Sequence, residues 1–332
     1  MNKKKILFRA DGNSKTGLGH LYRLFALVEI YKEKFEFIFL TKEASVLNII
    51  PKDYNLKTIP NNIDINQEPY WISKHFSSNE YIIISDGYQF VSSYQKAITE
   101  LGYFLMYIDD LTEEYMYANI VVNHSPNANI KNYKTEPYTN FALGTDYAIL
   151  RPHFLNSAKS KKTITNIDTA FVCYGGADYF DFTLQTVQAL LKTLKIKEIN
   201  VVIGGAYKHT EIQKVAEQFS KVKLYRNLNE KDLNTLIEAC NISFVSSSTI
   251  LYEVMTVKMP VFTGFFVQNQ IDFYRGIEKR EVFFGMEDLR DFNFNTIPEK
   301  IEELTQEKIQ EQIKNQKLII DGEQKKRFLA LI

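Results

Sequence analysis

Cysteine is scarce in this 332-residue chain, and an excess of either charge is missing altogether. The two cysteines, Cys173 and Cys240, each lie in an apolar run that reads as a buried strand. That pattern points to inert core thiols in a reducing compartment rather than to a disulfide framework. Forty basic residues balance forty acidic ones, so no global field gathers nucleic acid or an anionic membrane, and a negatively charged ligand must be held by local geometry. The five histidines show no ligand spacing such as H-E-x-x-H, so no bound metal is expected. No apolar run approaches the thickness of a bilayer. Lys3, Lys4 and Lys5 are followed only by Ile6-Leu-Phe8 before Arg9, too short for a signal-peptide core. A cytoplasmic protein without stable membrane insertion is expected.

What is present is the composition of a globular protein, 45% hydrophobic and 24% charged, in a chain long enough for two α/β domains. It opens with a short β-prone run, Lys5–Arg9, and a loop bringing Gly12, Gly17 and Gly19 within eight positions before His20, where a helical pattern begins with Leu21, Leu24, Phe25 and Val28. Glycines let backbone N–H groups approach a ligand, and a helix start adds unsatisfied N–H groups and a positive dipole end. A histidine on that first turn is suited to proton transfer, although histidines at helix starts also serve as caps. The spacing is not the dinucleotide fingerprint G-x-G-x-x-G.

Near-continuous apolar strands are expected at Phe35–Leu40, Tyr81–Ser85, Tyr103–Ile108 and Asn119–Asn123, with helices around Ala44–Ile50, Tyr70–Phe76 and Tyr94–Leu101. Such alternation means a parallel sheet covered on both faces, with ligands beyond the carboxyl ends of the strands. Asp86-Gly-Tyr88 lies there, and a tyrosine hydroxyl beside a tight turn can contact a sugar. Asp109 and Asp110 are expected to cap the next element or to support a site from behind. His75, His124, His153 and His209 read as ordinary surface or loop residues.

The polar, basic segment 157–167 reads as a linker between an N-terminal sugar-binding and catalytic domain, residues 1–156, and a C-terminal nucleotide-binding domain, residues 168–332, that includes the terminal packing helices. The second domain repeats the opening device: strand Thr169–Cys173, then Tyr174-Gly-Gly-Ala-Asp178 with Gly175 and Gly176, then a helix from Phe182. Strand Ile242–Val245 runs into Ser246-Ser-Ser-Thr249 and a helix. Ser247, Ser248 and Thr249 at that helix start make a phosphate site, and Glu253, one turn in, suits the hydroxyls of a ribose. After strand Val261–Gly264, Gln268 and Asn269 offer uncharged hydrogen-bonding groups to a sugar.

Together these describe an α/β protein of two doubly wound, Rossmann-like domains facing a cleft, the glycosyltransferase-B architecture. Gly17-Leu-Gly-His20, Tyr174-Gly-Gly-Ala-Asp178, Ser246-Ser-Ser-Thr-Ile-Leu-Tyr-Glu253 and Gln268-Asn-Gln270 resemble, in order and spacing, the PseG-like UDP-sugar hydrolases of pseudaminic acid biosynthesis. More distantly they resemble the transferase that adds N-acetylglucosamine to a lipid-linked peptidoglycan precursor. The resemblance implies hydrolysis, with inversion, of UDP-2,4-diacetamido-2,4,6-trideoxy-β-L-altropyranose to UDP and free sugar, with no cofactor, a small-molecule UDP-sugar as substrate and no nucleic-acid partner. His20 matches the family's general base, Asn269 a sugar-contacting asparagine, Glu253 the ribose-binding glutamate and Tyr88 a tyrosine after the third major strand. Arg9, Asp11 and Arg23 are placed around the active site on the same ground, with a structural role as the alternative for each. Asp86-Gly87 departs from the family's usual residues at that place. Two alternatives remain: an inverting transferase that passes the sugar to an acceptor alcohol, and a non-catalytic UDP-sugar-binding protein.

Overall fold

The computed structural model describes residues 4–13 and 17–332; the middle of the first glycine-rich loop, Ser14 to Thr16, lies outside the described residues. The chain divides into two compact units, Met1–Pro152 with Gln324–Ile332, and His153–Glu323.

The first unit carries β1 (Lys5–Ala10), α1 (Gly19–Tyr31), β2 (Phe37–Lys42), β3 (Leu56–Ile59), α2 (Glu68–His75), β4 (Tyr81–Asp86), α3 (Ser92–Glu100), β5 (Leu105–Ile108), β6 (Tyr115–Met116), β7 (Ile120–Asn123), β8 (Lys134–Thr135) and β9 (Asn140–Leu143). Its main sheet is parallel, in the order β3-β2-β1-β4-β5-β7-β9. Side chains alternate across such a sheet. Ile6, Phe8 and Ala10 therefore join the core under α1, while Leu7 joins a second core on the opposite face with Ile83, Leu105 and Val121. Helix α1 is apolar nearly all round because it covers the sheet centre, burying Leu21, Leu24, Val28 and Tyr31.

The second unit begins in α4 (Pro152–Lys159) and continues through β10 (Thr169–Cys173), α5 (Phe182–Leu191), β11 (Glu198–Ile203), α6 (Glu211–Gln218), β12 (Val222–Arg226), α7 (Glu230–Ala239), β13 (Ile242–Ser246), α8 (Thr249–Val257), β14 (Val261–Phe265), α9 (Gln268–Ile277), β15 (Phe284–Asp288), α10 (Ile297–Glu302) and α11 (Gln306–Ile319). Its six strands are parallel, in the order β12-β11-β10-β13-β14-β15.

Several expectations from sequence give way here. The helix expected at Ala44–Ile50 is a single 3-10 turn, Leu47–Ile49. The segment read as a linker is helical through Lys159, since Phe154, Leu155 and Ala158 recur at helical spacing and are buried. The last helix, α12 (Gln324–Leu329), belongs to the first unit. There Phe328 is buried and accepts a hydrogen bond at its carbonyl from the Tyr31 hydroxyl (2.6 Å). Both cysteines are buried and free, and Cys240 ends α7 instead of lying in a strand. Burial pushes both thiols up to about 12, which removes them as nucleophiles. Among the described residues no helix is long and apolar enough to cross a membrane.

Candidate active site

In an open parallel sheet the strand order reverses at one place, and the loops there diverge to leave a crevice beyond the strands' carboxyl ends. In the first unit that place is between β1 and β4, where Ala10 pairs with Asp86 at the strand ends. In the second it is between β10 and β13, the strands that lead into Gly175-Gly176 and Ser246-Ser-Ser-Thr249. Each unit thus holds one group of the expected site residues at its switch point.

At the first switch point His20, the second residue of α1, is buried with 9% exposure. Its Nδ1 lies 2.7 Å from Asp86 Oδ1. Asp86 is fully buried and receives Arg23 Nε and Nη2 at 2.6 Å each. Burial alone would raise the Asp86 carboxyl, but the Arg23 charge and the hydrogen bonds from Arg23 and His20 outweigh it and hold the group below the usual carboxylate range. An ionised carboxylate only accepts. The proton shared with His20 therefore sits on Nδ1, leaving the Nε2 lone pair as the base. Tyr88 packs edge-on against the imidazole, ring centres 4.6 Å apart at 90°, and its own ring is half exposed. A Cβ at Gly17 or at Gly19 would meet no described atom within 4 Å. Gly17 needs to be glycine for its φ of +77°. Gly19 has neither a positive φ nor a crowded neighbour among the described residues.

Three residues placed around the ligand from sequence are engaged in ion pairs with neighbouring loops and strands. Arg9 has no exposure at all; it forks onto Glu68 (2.7 and 2.9 Å) and onto Asp11 (2.6 and 2.8 Å), with its guanidinium over the Phe90 ring. Asp11 accepts, besides Arg9, the Lys42 backbone N–H (2.7 Å), the Thr41 hydroxyl (3.0 Å) and the Gln89 amide (3.2 Å), so its lone pairs are taken. Arg23 is pinned by Asp86 and by Asp110 (2.9 Å). All three hold the loops in place; a sugar would have to displace existing charge-assisted bonds to reach them.

The second switch point is built from backbone and hydroxyls. Gly175 has φ +90°, and the Cβ directions of both Gly175 and Gly176 open into space. Ser248 precedes α8 and Thr249 starts it, with no side-chain cap on the first turn; its leading N–H groups are the orphan donors of any helix start. Ser247 does not join them. It is buried, its N–H donates to the Gly264 carbonyl (2.9 Å) and its hydroxyl pairs with Thr263 (3.2 Å), because it lies just past the end of β13 and still bonds to β14. Glu253 is buried. Gln268 and Asn269 are exposed at the start of α9, whereas Gln270 turns inward and accepts from the Phe266 N–H.

The roles of two groups were not legible in the sequence. Asp86 stood out by its strand-end position, yet its pairing with His20 needed β1 and β4 to be neighbours, which no spacing reveals. His124, read as an ordinary loop residue, is buried just beyond β7 with Nδ1 accepting from the Ile149 N–H (3.2 Å). Burial and the Arg23 charge push it down to about 4, so it is neutral near pH 7.

No protein-family model matches the chain. The uncharacterized protein MJ1062 of Methanocaldococcus jannaschii is 27% identical over 277 residues, 77% of this chain and 54% of its own length, so the chain spans about half of that relative. The UDP-2,4-diacetamido-2,4,6-trideoxy-β-L-altropyranose hydrolase of Campylobacter jejuni is 25% identical over 272 residues, 80% of this chain and 93% of that one. Among solved structures, MurG of Acinetobacter baumannii superposes with a TM-score of 0.66 over 99% of both chains at 11% identity. These findings, with the two parallel sheets, give the glycosyltransferase-B fold.

Proposed function

We propose that this chain hydrolyses a UDP-linked 2,4-diacetamido-2,4,6-trideoxy hexose at its anomeric C–O bond, with inversion. The observation that carries the reading is the His20–Asp86 pair, a buried imidazole whose Nδ1 proton is fixed by a carboxylate. Water is deprotonated by His20 Nε2 as its oxygen bonds to the anomeric carbon; the bond from that carbon to the UDP oxygen breaks, and its electron pair leaves with UDP. Gly175, Gly176 and Thr249 present N–H groups and a helix dipole to the departing diphosphate, Ser248, whose N–H is held by the Ser246 carbonyl, offers its hydroxyl, and Glu253 takes the ribose. Tyr88, Gly17, Gly19, Gln268 and Asn269 are assigned to the sugar. The similarity to the C. jejuni hydrolase supports the same substrate class.

The test is UDP release from UDP-2,4-diacetamido-2,4,6-trideoxy-β-L-altropyranose, with chelator and without acceptor, for wild type and His20→Ala. Loss of a general base lowers kcat by about 10²–10⁴-fold, with UDP affinity unchanged. The fold likeness to MurG keeps a second reading in view, glycosyl transfer. UDP binding without release until an acceptor alcohol is added would replace the hydrolase by that reading.

A further inference from the structure

The loop that follows β10 does not hold its shape by itself. Three of its residues have positive φ, Gly175 (+90°), Asp178 (+40°) and Asp181 (+53°), and the two aspartates adopt a conformation that L side chains disfavour. Part of what stabilises it is local: Asp178 accepts from the Phe182 and Thr183 N–H groups at 3.0 and 2.8 Å, and Asp181 from the Leu184 N–H at 3.3 Å, which starts α5. The remainder comes from the loop after β11. Gly204 lies so close behind Gly176 that a Cβ there would sit 2.4 Å from both the Cα and the carbonyl oxygen of Gly176. Buried Tyr207 donates its hydroxyl to Asp181, and His209 Nε2 donates to the Asp178 carbonyl at 3.0 Å. The Tyr207 and His209 rings meet edge-on, 5.1 Å apart.

We propose that Gly204, Tyr207 and His209 are positioning residues that brace the β10–α5 loop so that Gly175 and Gly176 face a nucleotide diphosphate already shaped to receive it. This rests on the UDP reading above. None of the three has a place in the chemistry, and their effect is on how much ordering the ligand must do when it binds. A braced loop loses little conformational freedom on binding, whereas a loosened one must be ordered by the ligand, which weakens affinity.

The variants are Tyr207→Phe, which keeps the ring and removes only the bond to Asp181, and Gly204→Ala, which pushes on Gly176. In the full chain without ligand, amide hydrogen exchange across residues 174–183 should accelerate in both, while the thermal midpoint of Tyr207→Phe falls only by the few degrees that one lost hydrogen bond costs. Calorimetric Kd for UDP should rise about tenfold in Gly204→Ala and about threefold in Tyr207→Phe, with kcat at saturating substrate held within about twofold. If Gly204→Ala does not fold, Tyr207→Phe carries the test alone. Exchange in the variants equal to that of a wild type that binds UDP overturns the brace and leaves the nucleotide reading standing. Failure of the wild type to bind UDP overturns the reading beneath it.

Discussion

The two switch points solve different problems with different materials. At β1/β4 the side chains are charged and interlocked: His20 on Asp86, Asp86 on Arg23, Arg23 on Asp110. At β10/β13 the groups on offer are N–H donors, hydroxyls and a helix start, with Glu253 buried in the first turns of α8. Charge held in a buried network fixes a proton on one nitrogen, which general-base chemistry requires. A diphosphate is already anionic, and fixed backbone dipoles bind it without a buried countercharge. Perturbation of the first switch point should therefore damage stability and proton transfer together, while perturbation of the open backbone groups at the second should change affinity and leave the fold alone.

The largest effect is expected from Arg23→Ala, which strips the buried Asp86 carboxylate of its fork. Unpairing a buried charge costs about 3–5 kcal/mol, read as a lower urea midpoint. The sign with pH follows from the depressed Asp86 value: its stabilisation is present above the ordinary carboxylate range near 4 and is lost as pH falls through the lower folded value, and Arg23→Ala should abolish that dependence. A midpoint equal to wild type would break the comparison at its stronger end.

Next comes His124. Its folded value of about 4 lies below its ordinary 6.5, so between those values the unfolded chain binds more protons and stability rises with pH, by about 3 kcal/mol in total. His124→Asn keeps an acceptor for the Ile149 N–H and should flatten that slope, as urea titrations at stepped pH would record. The second switch point yields smaller numbers. Gly176→Val adds a side chain into open space and should weaken UDP about tenfold, about 1.4 kcal/mol, and lower kcat as the departing diphosphate loses a donor; a UDP Kd equal to wild type would remove Gly176 from the site. The smallest change is expected for Ser247→Ala. Loss of its bond to Thr263 should lower stability by about 1 kcal/mol and leave the UDP Kd as it was; a weaker UDP Kd would return Ser247 to the ligand.

What the sequence by itself determined was local. The alternation of apolar runs with helical ones, the glycine turns after Phe8 and Cys173, and the Ser-rich helix start before Glu253 are read from residues adjacent in the chain, and the parallel architecture follows from them. Short or half-exposed strands such as Leu56–Ile59 and Phe284–Asp288 carried too little apolar signal to be found. The tertiary structure decided what each polar residue faces. Arg9 and Asp11 look like ligand-binding groups in a glycine-rich loop, yet Glu68, fifty-nine positions from Arg9, turns that pair into an internal brace. Ser247 looks like one more hydroxyl of the phosphate site until its N–H is found bonded to Gly264 on the next strand. Asp86 and His20 lie sixty-six residues apart and meet only because β1 and β4 are neighbours. Strand order is a property of the folded sheet, settled by long-range packing, and the direction of every buried charge follows from it.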